Sequence, residues 1–152
     1  MNTYTKIYIQ AVFSVKYRKA FIDASWSERL YQYLGGILKT EGHHPIAING
    51  VSDHVHVFFS LKKDQSVSDI IMLIKGNSSK WINEQGFCSR KFQWQQGYGA
   101  FSYGASQVKD VIRYVDNQEA HHRKMSFREE VEKLLELFEV PYEEQYLPEE
   151  LL

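Results

Sequence analysis

Two imidazoles two residues apart, and a phenol four residues before a carboxamide, are the groups in this chain best spaced for chemistry. The stretch Asp53-His54-Val55-His56-Val57-Phe58-Phe59 is apolar and β-branched and reads as a strand. Side chains alternate along a strand, so His54 and His56 point to one face. Tyr114-Val115-Asp116-Asn117-Gln118 lies in a helical pattern, where residues four apart are neighbours, so Tyr114 and Gln118 share a face. Two imidazoles and an amide oxygen can hold a divalent cation, and the phenol beside them is a potential nucleophile. Together they point to metal-assisted chemistry on a phosphate. A bare His-x-His is usually two ordinary strand histidines, and with ten tyrosines present any one is usually a packing residue. It is the combination of the two pairs that is specific.

The elements that must position these groups follow from periodicity. Residues 3–16 alternate, with Ile7, Ile9, Ala11, Phe13 and Val15 on one face and Lys6, Gln10, Ser14 and Lys16 on the other, which predicts a strand. A basic connection, Lys16-Tyr17-Arg18-Lys19, follows. From Ser25 to Glu41 the apolar residues recur at helical spacing, and Gly42 is a natural stop. Residues 44–51 and 54–61 predict a hairpin with a tight turn at Gly50 to Asp53. A second helix is expected from Ser66 to Gln85, opened by a capping box with Asp69. Residues 92–103 are aromatic and predict a fourth strand with irregular ends. A third helix starts near Ser106, and a fourth opens at Ser126 with a capping box to Glu129. The last ten or so residues read as a loosely held tail. This order predicts an α+β, ferredoxin-like antiparallel sheet with helices on one face plus C-terminal helices, its other face free for a ligand.

Composition sets the limits. A length of 152 residues is most simply one domain. The lone Cys88 cannot form an internal disulfide, which fits a reducing cytoplasm. No signal peptide or membrane span is visible, and no membrane partner is expected. The net charge of −1 hides an asymmetry: residues 129–152 hold nine acids and one base, leaving +7 on residues 1–128. A basic body with an acidic tail can bind a polyanion. Lys75, Lys80, Arg90, Trp94, Arg113 and Arg123 mix charge with aromatic surface, as contacts to single-stranded DNA require. His121-His122 could touch phosphate or metal, but reads first as a polar helix end.

With these motifs assembled, the chain resembles the single-tyrosine HUH transposases, the TnpA type of insertion sequences that move as single-stranded DNA. The resemblance rests on Asp53 to Phe59, on Lys75-Gly76-Asn77-Ser78-Ser79-Lys80, on Trp94-Gln95-Gln96-Gly97-Tyr98-Gly99-Ala100-Phe101-Ser102, and on Tyr114 to His122 ending at Ser126-Phe127-Arg128-Glu129-Glu130. It implies a catalytic domain over residues 1–128, including a tyrosine helix at 106–124. The acidic C-terminal helix and tail, 126–152, belong to the same domain. It implies His54, His56 and Gln118 as ligands of Mg²⁺ or Mn²⁺, and Tyr114 as the nucleophile that forms a 5′-phosphotyrosine link. The implied partners are single-stranded DNA with an imperfect hairpin, and a second subunit in a homodimer in which the tyrosine helix can complete the active site of the partner subunit.

Two alternatives stand beside it. Gly97-Tyr98-Gly99-Ala100-Phe101-Ser102-Tyr103 echoes the RNA-binding strand of RRM-like modules, which have no use for the His and Tyr groups. A domesticated relative that keeps DNA hairpin binding but has lost mobility is the other.

Overall fold

Alternation in the first strand, β1 (Ile7–Ser14), divides the molecule into two cores. Ile9, Ala11 and Phe13 enter the larger one, while Val12 and Gln10 face the other way. The computed structural model describes residues 2–16 and 21–148; Tyr17, Arg18 and Lys19 of the basic connection, and Glu149 and Glu150 of the acidic tail, lie outside the described residues. After β1 come α1 (Ser27–Thr40), β2 (His44–Gly50), β3 (His54–Leu61), α2 (Val67–Gln85), β4 (Gly99–Tyr103), α3 (Val108–Asp116), α4 (Gln118–His121) and α5 (Phe127–Leu137). The strands form one antiparallel sheet in the order β2-β3-β1-β4, the ferredoxin-like arrangement.

Helices α1 and α2 cover one face. Leu30, Leu34 and Leu38 of α1 and Ile70, Ile71, Ile74 and Ile82 of α2 are fully buried against Val55, Val57 and Phe59 of β3. Each such side chain contributes about 1.5–3 kcal/mol of burial free energy. The Ser66 hydroxyl caps α2 by accepting from the Asp69 amide at 3.1 Å, and Gly86 ends it in the left-handed region at φ 68°. The β2–β3 turn needs a glycine: a Cβ at Gly50 would lie 2.3 Å from the His54 carbonyl oxygen. That close approach sets where β3 begins, at His54.

The second face is not free, as the sequence led us to expect. Val111 and Val115 of α3 pack on Phe58 and Ala47, and Phe127 and Leu134 of α5 pack on Val12 and Phe101. Amphipathic α3 and α5 must bury their stripes somewhere, and the apolar residues between the histidines and β4 offer the surface. Three smaller expectations also change. The fourth strand is confined to Gly99–Tyr103, with Trp94 meeting Val15 only as an isolated bridge. The third helix breaks at Asn117 into α3 and α4. The tail is tied down as far as Pro148: Arg128 donates to the carbonyls of Glu144 and Pro148 at 3.2 and 3.4 Å, and Leu147 is buried.

Candidate active site

The strand register places Val12 opposite His56 and Ser14 opposite His54, so both imidazoles rise from the centre of the sheet toward α3 and α5. Both are completely buried. The tyrosine helix reaches them because Asn49 of β2 donates to the carbonyls of Val115 and Asp116 at 3.0 and 3.1 Å, pinning the C-terminal end of α3 to the sheet edge. Tyr114 then lies edge-on to His56, with ring centroids 5.6 Å apart. Although the helix breaks after Tyr114, Gln118 still turns inward, its Oε1 3.2 Å from His54 Nε2 and its Nε2 donating to the Tyr114 carbonyl at 3.4 Å. The four residues singled out by their spacing are therefore brought together, and within one chain.

Two further groups join them. Glu130 of α5 is 1% exposed, and its Oε1 lies 3.0 Å from His56 Nε2, 3.2 Å from His54 Nε2 and 2.9 Å from His122 Nε2. Its Oε2 accepts from the Tyr114 hydroxyl and, at 3.2 Å, from Gln118 Nε2. The sequence offers Glu130 as part of the acidic segment and of the motif that ends on it, with no role of its own, and His122 as a helix end that could also touch phosphate or metal. A signal existed for Glu130: it falls on the buried stripe of α5, three residues after Phe127 and four before Leu134. A charge at such a position needs partners. For His122, which follows the last turn of α4, the only signal was its place in the His121-His122 pair.

The electrostatics of this group are coupled. Burial opposes ionisation of Glu130, but its close contacts with His122, His54 and His56 outweigh it and hold the carboxyl well below the usual range. Burial lowers His56 to about 4, because it disfavours the imidazolium more than Glu130 favours it. For His54 the balance is reversed. Burial works against the charge, yet Asp53, with Oδ1 2.7 Å from His54 Nδ1, and Glu130 together raise it. Tyr114 is pushed above the ordinary phenol value by burial and by the neighbouring Glu130 carboxylate. His54, His56, His122 and Glu130 each offer a ligand atom, all within 4.8 Å of one another, so the group is able to hold a divalent cation.

The expected DNA-contacting residues are dispersed. Lys75 is a brace, donating to the carbonyls of Gln95 and Gly97 at 2.7 Å each. Trp94 is buried between Phe13 and Phe92 and donates its indole N–H to Ser78 at 2.9 Å, leaving no open face for a base. Lys80 is exposed on α2, paired with Glu84 at 3.9 Å, and Arg90 is exposed in the loop between α2 and β4. Arg113 and Arg123 are exposed on the site's side, paired with Asp110 at 3.0 Å and Glu119 at 3.4 Å. A pocket of about 360 Å³ opens beside Asp53 and His122, with Arg123 and Arg128 in its wall.

A family model described as "Transposase IS200 like" matches residues 3–118, which include both histidines, the tyrosine and the glutamine. The chain belongs to the IS200-like transposase family. Among solved structures it is similar to a protein assigned as a transposase from Deinococcus radiodurans R1. That match has a TM-score of 0.61 and 17% identity, over 78% of this chain and 95% of the other. It is also similar to a REP-associated tyrosine transposase solved with a REP hairpin, with a TM-score of 0.59 and 13% identity over 80% of this chain and 72% of the other. At these identities the likeness is one of fold. No match is found among curated proteins. In this transposase no helix among the described residues is long and apolar enough to cross a membrane. The RRM-like reading loses its basis, since Phe101 of the echoing strand is buried under α5, its ring 4.8 Å from that of Phe138.

Proposed function

We propose that this transposase nicks and rejoins single-stranded DNA at hairpin-marked element ends, with Tyr114 as the nucleophile. The observation that carries the reading is the meeting of Tyr114, Gln118, His54 and His56 around one buried carboxylate. In the first step the Tyr114 hydroxyl oxygen attacks a backbone phosphorus. The P–O3′ bond breaks, a 5′-phosphotyrosine forms, and the 3′ oxygen leaves as a hydroxyl by taking a proton from water, balancing the one the phenol gives up. The hydroxyl proton of Tyr114 is already directed at Glu130 Oε2, which gives it a nearby acceptor. In the second step a 3′-hydroxyl from another end attacks the phosphotyrosine, restoring the tyrosine. Each step breaks one phosphate ester and makes another, so no nucleotide cofactor is needed.

His54, His56 and Gln118 would hold a divalent cation. Asp53 supports this fit by accepting from His54 Nδ1–H, which leaves Nε2 directed at the cluster. Imidazole donors suit Mn²⁺ better than Mg²⁺, which prefers oxygen ligands and retained water. When bound, the cation supplies positive charge that polarises the phosphate and favours the phenolate. Arg123 and Arg128 beside the pocket would attract the phosphate backbone. The hairpin ligand of the REP-associated relative supports a hairpin as the recognised end. Because Tyr114 meets the histidines of its own chain, each subunit of a dimer would carry a complete site.

The test is incubation with a hairpin-bearing single-stranded oligonucleotide and Mn²⁺, followed by a denaturing gel. A covalent protein–DNA adduct is expected, absent in Tyr114→Phe although that variant still binds the hairpin. An adduct that survives in Tyr114→Phe would overturn the assignment.

A further inference from the structure

Three imidazole Nε2 atoms converge on one carboxylate oxygen, Glu130 Oε1, at 2.9 to 3.2 Å. Two of these imidazoles already commit their other nitrogen to a group that can only accept. His54 Nδ1 faces the Asp53 carboxylate at 2.7 Å, and His122 Nδ1 faces the Met125 carbonyl at 2.8 Å. Each Nδ1 therefore carries the proton, and in the neutral ring each Nε2 presents a bare lone pair. Those lone pairs are aimed at a carboxylate oxygen, and that of His54 also at Gln118 Oε1, 3.2 Å away. Lone pairs facing oxygen lone pairs repel unless something positive lies between them. One divalent cation would satisfy every donor at once.

The spacing fits as well. Bonds of about 2.0–2.2 Å meeting near right angles put adjacent donor atoms about 3 Å apart. The Nε2–Oε1 separations of 2.9, 3.0 and 3.2 Å are of that size. Partners that accept from the distal imidazole nitrogen, as Asp53 and Met125 do, are the usual support of metal-bound histidines.

We infer that Glu130 and His122 are themselves metal ligands beside His54 and His56, so that the bound cation fastens α5 and the turn before it to the sheet. This rests on the metal-assisted reading above and extends it. The ligand set then spans β3 and the segment beyond the tyrosine helix, and it closes within one subunit. Glu130 joins the metal to the nucleophile, because its second oxygen holds the Tyr114 hydroxyl.

The test is Mn²⁺ binding without DNA, by calorimetry, to the full chain and to Glu130→Gln, His122→Ala and His56→Ala. Glu130→Gln and His122→Ala are each expected to weaken Mn²⁺ about tenfold or more. Hydrogen exchange in residues 127–137 is expected to slow on adding Mn²⁺ to the unaltered protein. Pulsed electron paramagnetic resonance of the Mn²⁺ form guards against variants that fail to fold, and it should show three coupled imidazole nitrogens. Two imidazoles, or unchanged or tighter binding in Glu130→Gln, would overturn the inference, because Glu130 would then only fill the space a cation needs. If Mn²⁺ binding is lost in His56→Ala but kept in the other two, the broader reading stands and this one falls. If the unaltered protein binds no Mn²⁺, both fall, whatever the gel shows for Tyr114.

Discussion

Gln10 and His56 stand on adjacent strands with Gln10 Nε2 2.9 Å from His56 Nδ1, and both side chains are completely buried. The other end of the amide, Oε1, accepts from the Tyr103 hydroxyl at 2.7 Å. In this arrangement His56 Nδ1 accepts, so its proton sits on Nε2 and is given to Glu130. A cation at Nε2 needs the opposite tautomer. Reversing the amide of Gln10 would let Oε1 accept from Nδ1–H, and the Tyr103 hydroxyl can donate or accept, so it can follow. Gln10 is thus a positioning residue able to serve both forms of His56. Gln10→Leu should weaken Mn²⁺ by about tenfold or more, while Gln10→Glu, an acceptor, should retain it. Calorimetry checks this, and equal affinity in the Leu variant would remove the role.

His56→Ala removes a ligand from the centre of the sheet. Cleavage of the hairpin oligonucleotide should stop in this variant, as it should when EDTA is added to the unaltered protein. Hairpin binding in the absence of metal should persist in both. Cleavage that continues under either condition would take the cation out of the reaction.

Gly50→Ala should lower the melting temperature by about 3–10 °C, through about 1–3 kcal/mol of steric strain. The new methyl would meet the His54 carbonyl oxygen, a backbone atom, at 2.3 Å. Since relief requires moving the start of β3, Mn²⁺ affinity should fall along with stability. Scanning calorimetry of the metal-free and Mn²⁺ forms separates the two losses.

Trp94→Leu should cost about 2–4 kcal/mol of stability, because a ring packed against Phe13 and Phe92 and a hydrogen bond to Ser78 are lost together. Hairpin affinity of the folded variant should change by no more than about twofold, whereas a stacking platform would lose about 1–3 kcal/mol. Denaturant unfolding and filter binding on the same sample decide between them.

Arg123, exposed in the wall of the pocket, should behave differently from Arg90, which is exposed in the loop after α2 and not part of that wall. Arg123→Ala should weaken hairpin binding and reduce the slope of log affinity against log salt by about one. Arg90→Ala should leave both unchanged. Identical slopes in the two variants would argue that DNA does not pass the pocket.

The amino-acid order by itself determined the local elements and the facing of the central groups. Period-two alternation placed Ile9, Ala11 and Phe13 on one side of β1 and set His54 and His56 together on one side of β3. The Ser66 and Ser126 caps, whose hydroxyls accept from Asp69 and Glu129, were equally readable, because capping acts over three residues. Tyr114 and Gln118 were legible as a pair for the same reason. Only the tertiary structure decided that α3 and α5 close over the second face, that Trp94 turns into the core, and that Glu130 and His122 enter the site. Glu130 and His56 are separated by 74 residues. A contact of that range depends on how an amphipathic helix docks on a sheet, and that is set by the summed packing of Phe127, Leu134, Val12 and Phe101 rather than by any spacing along the chain.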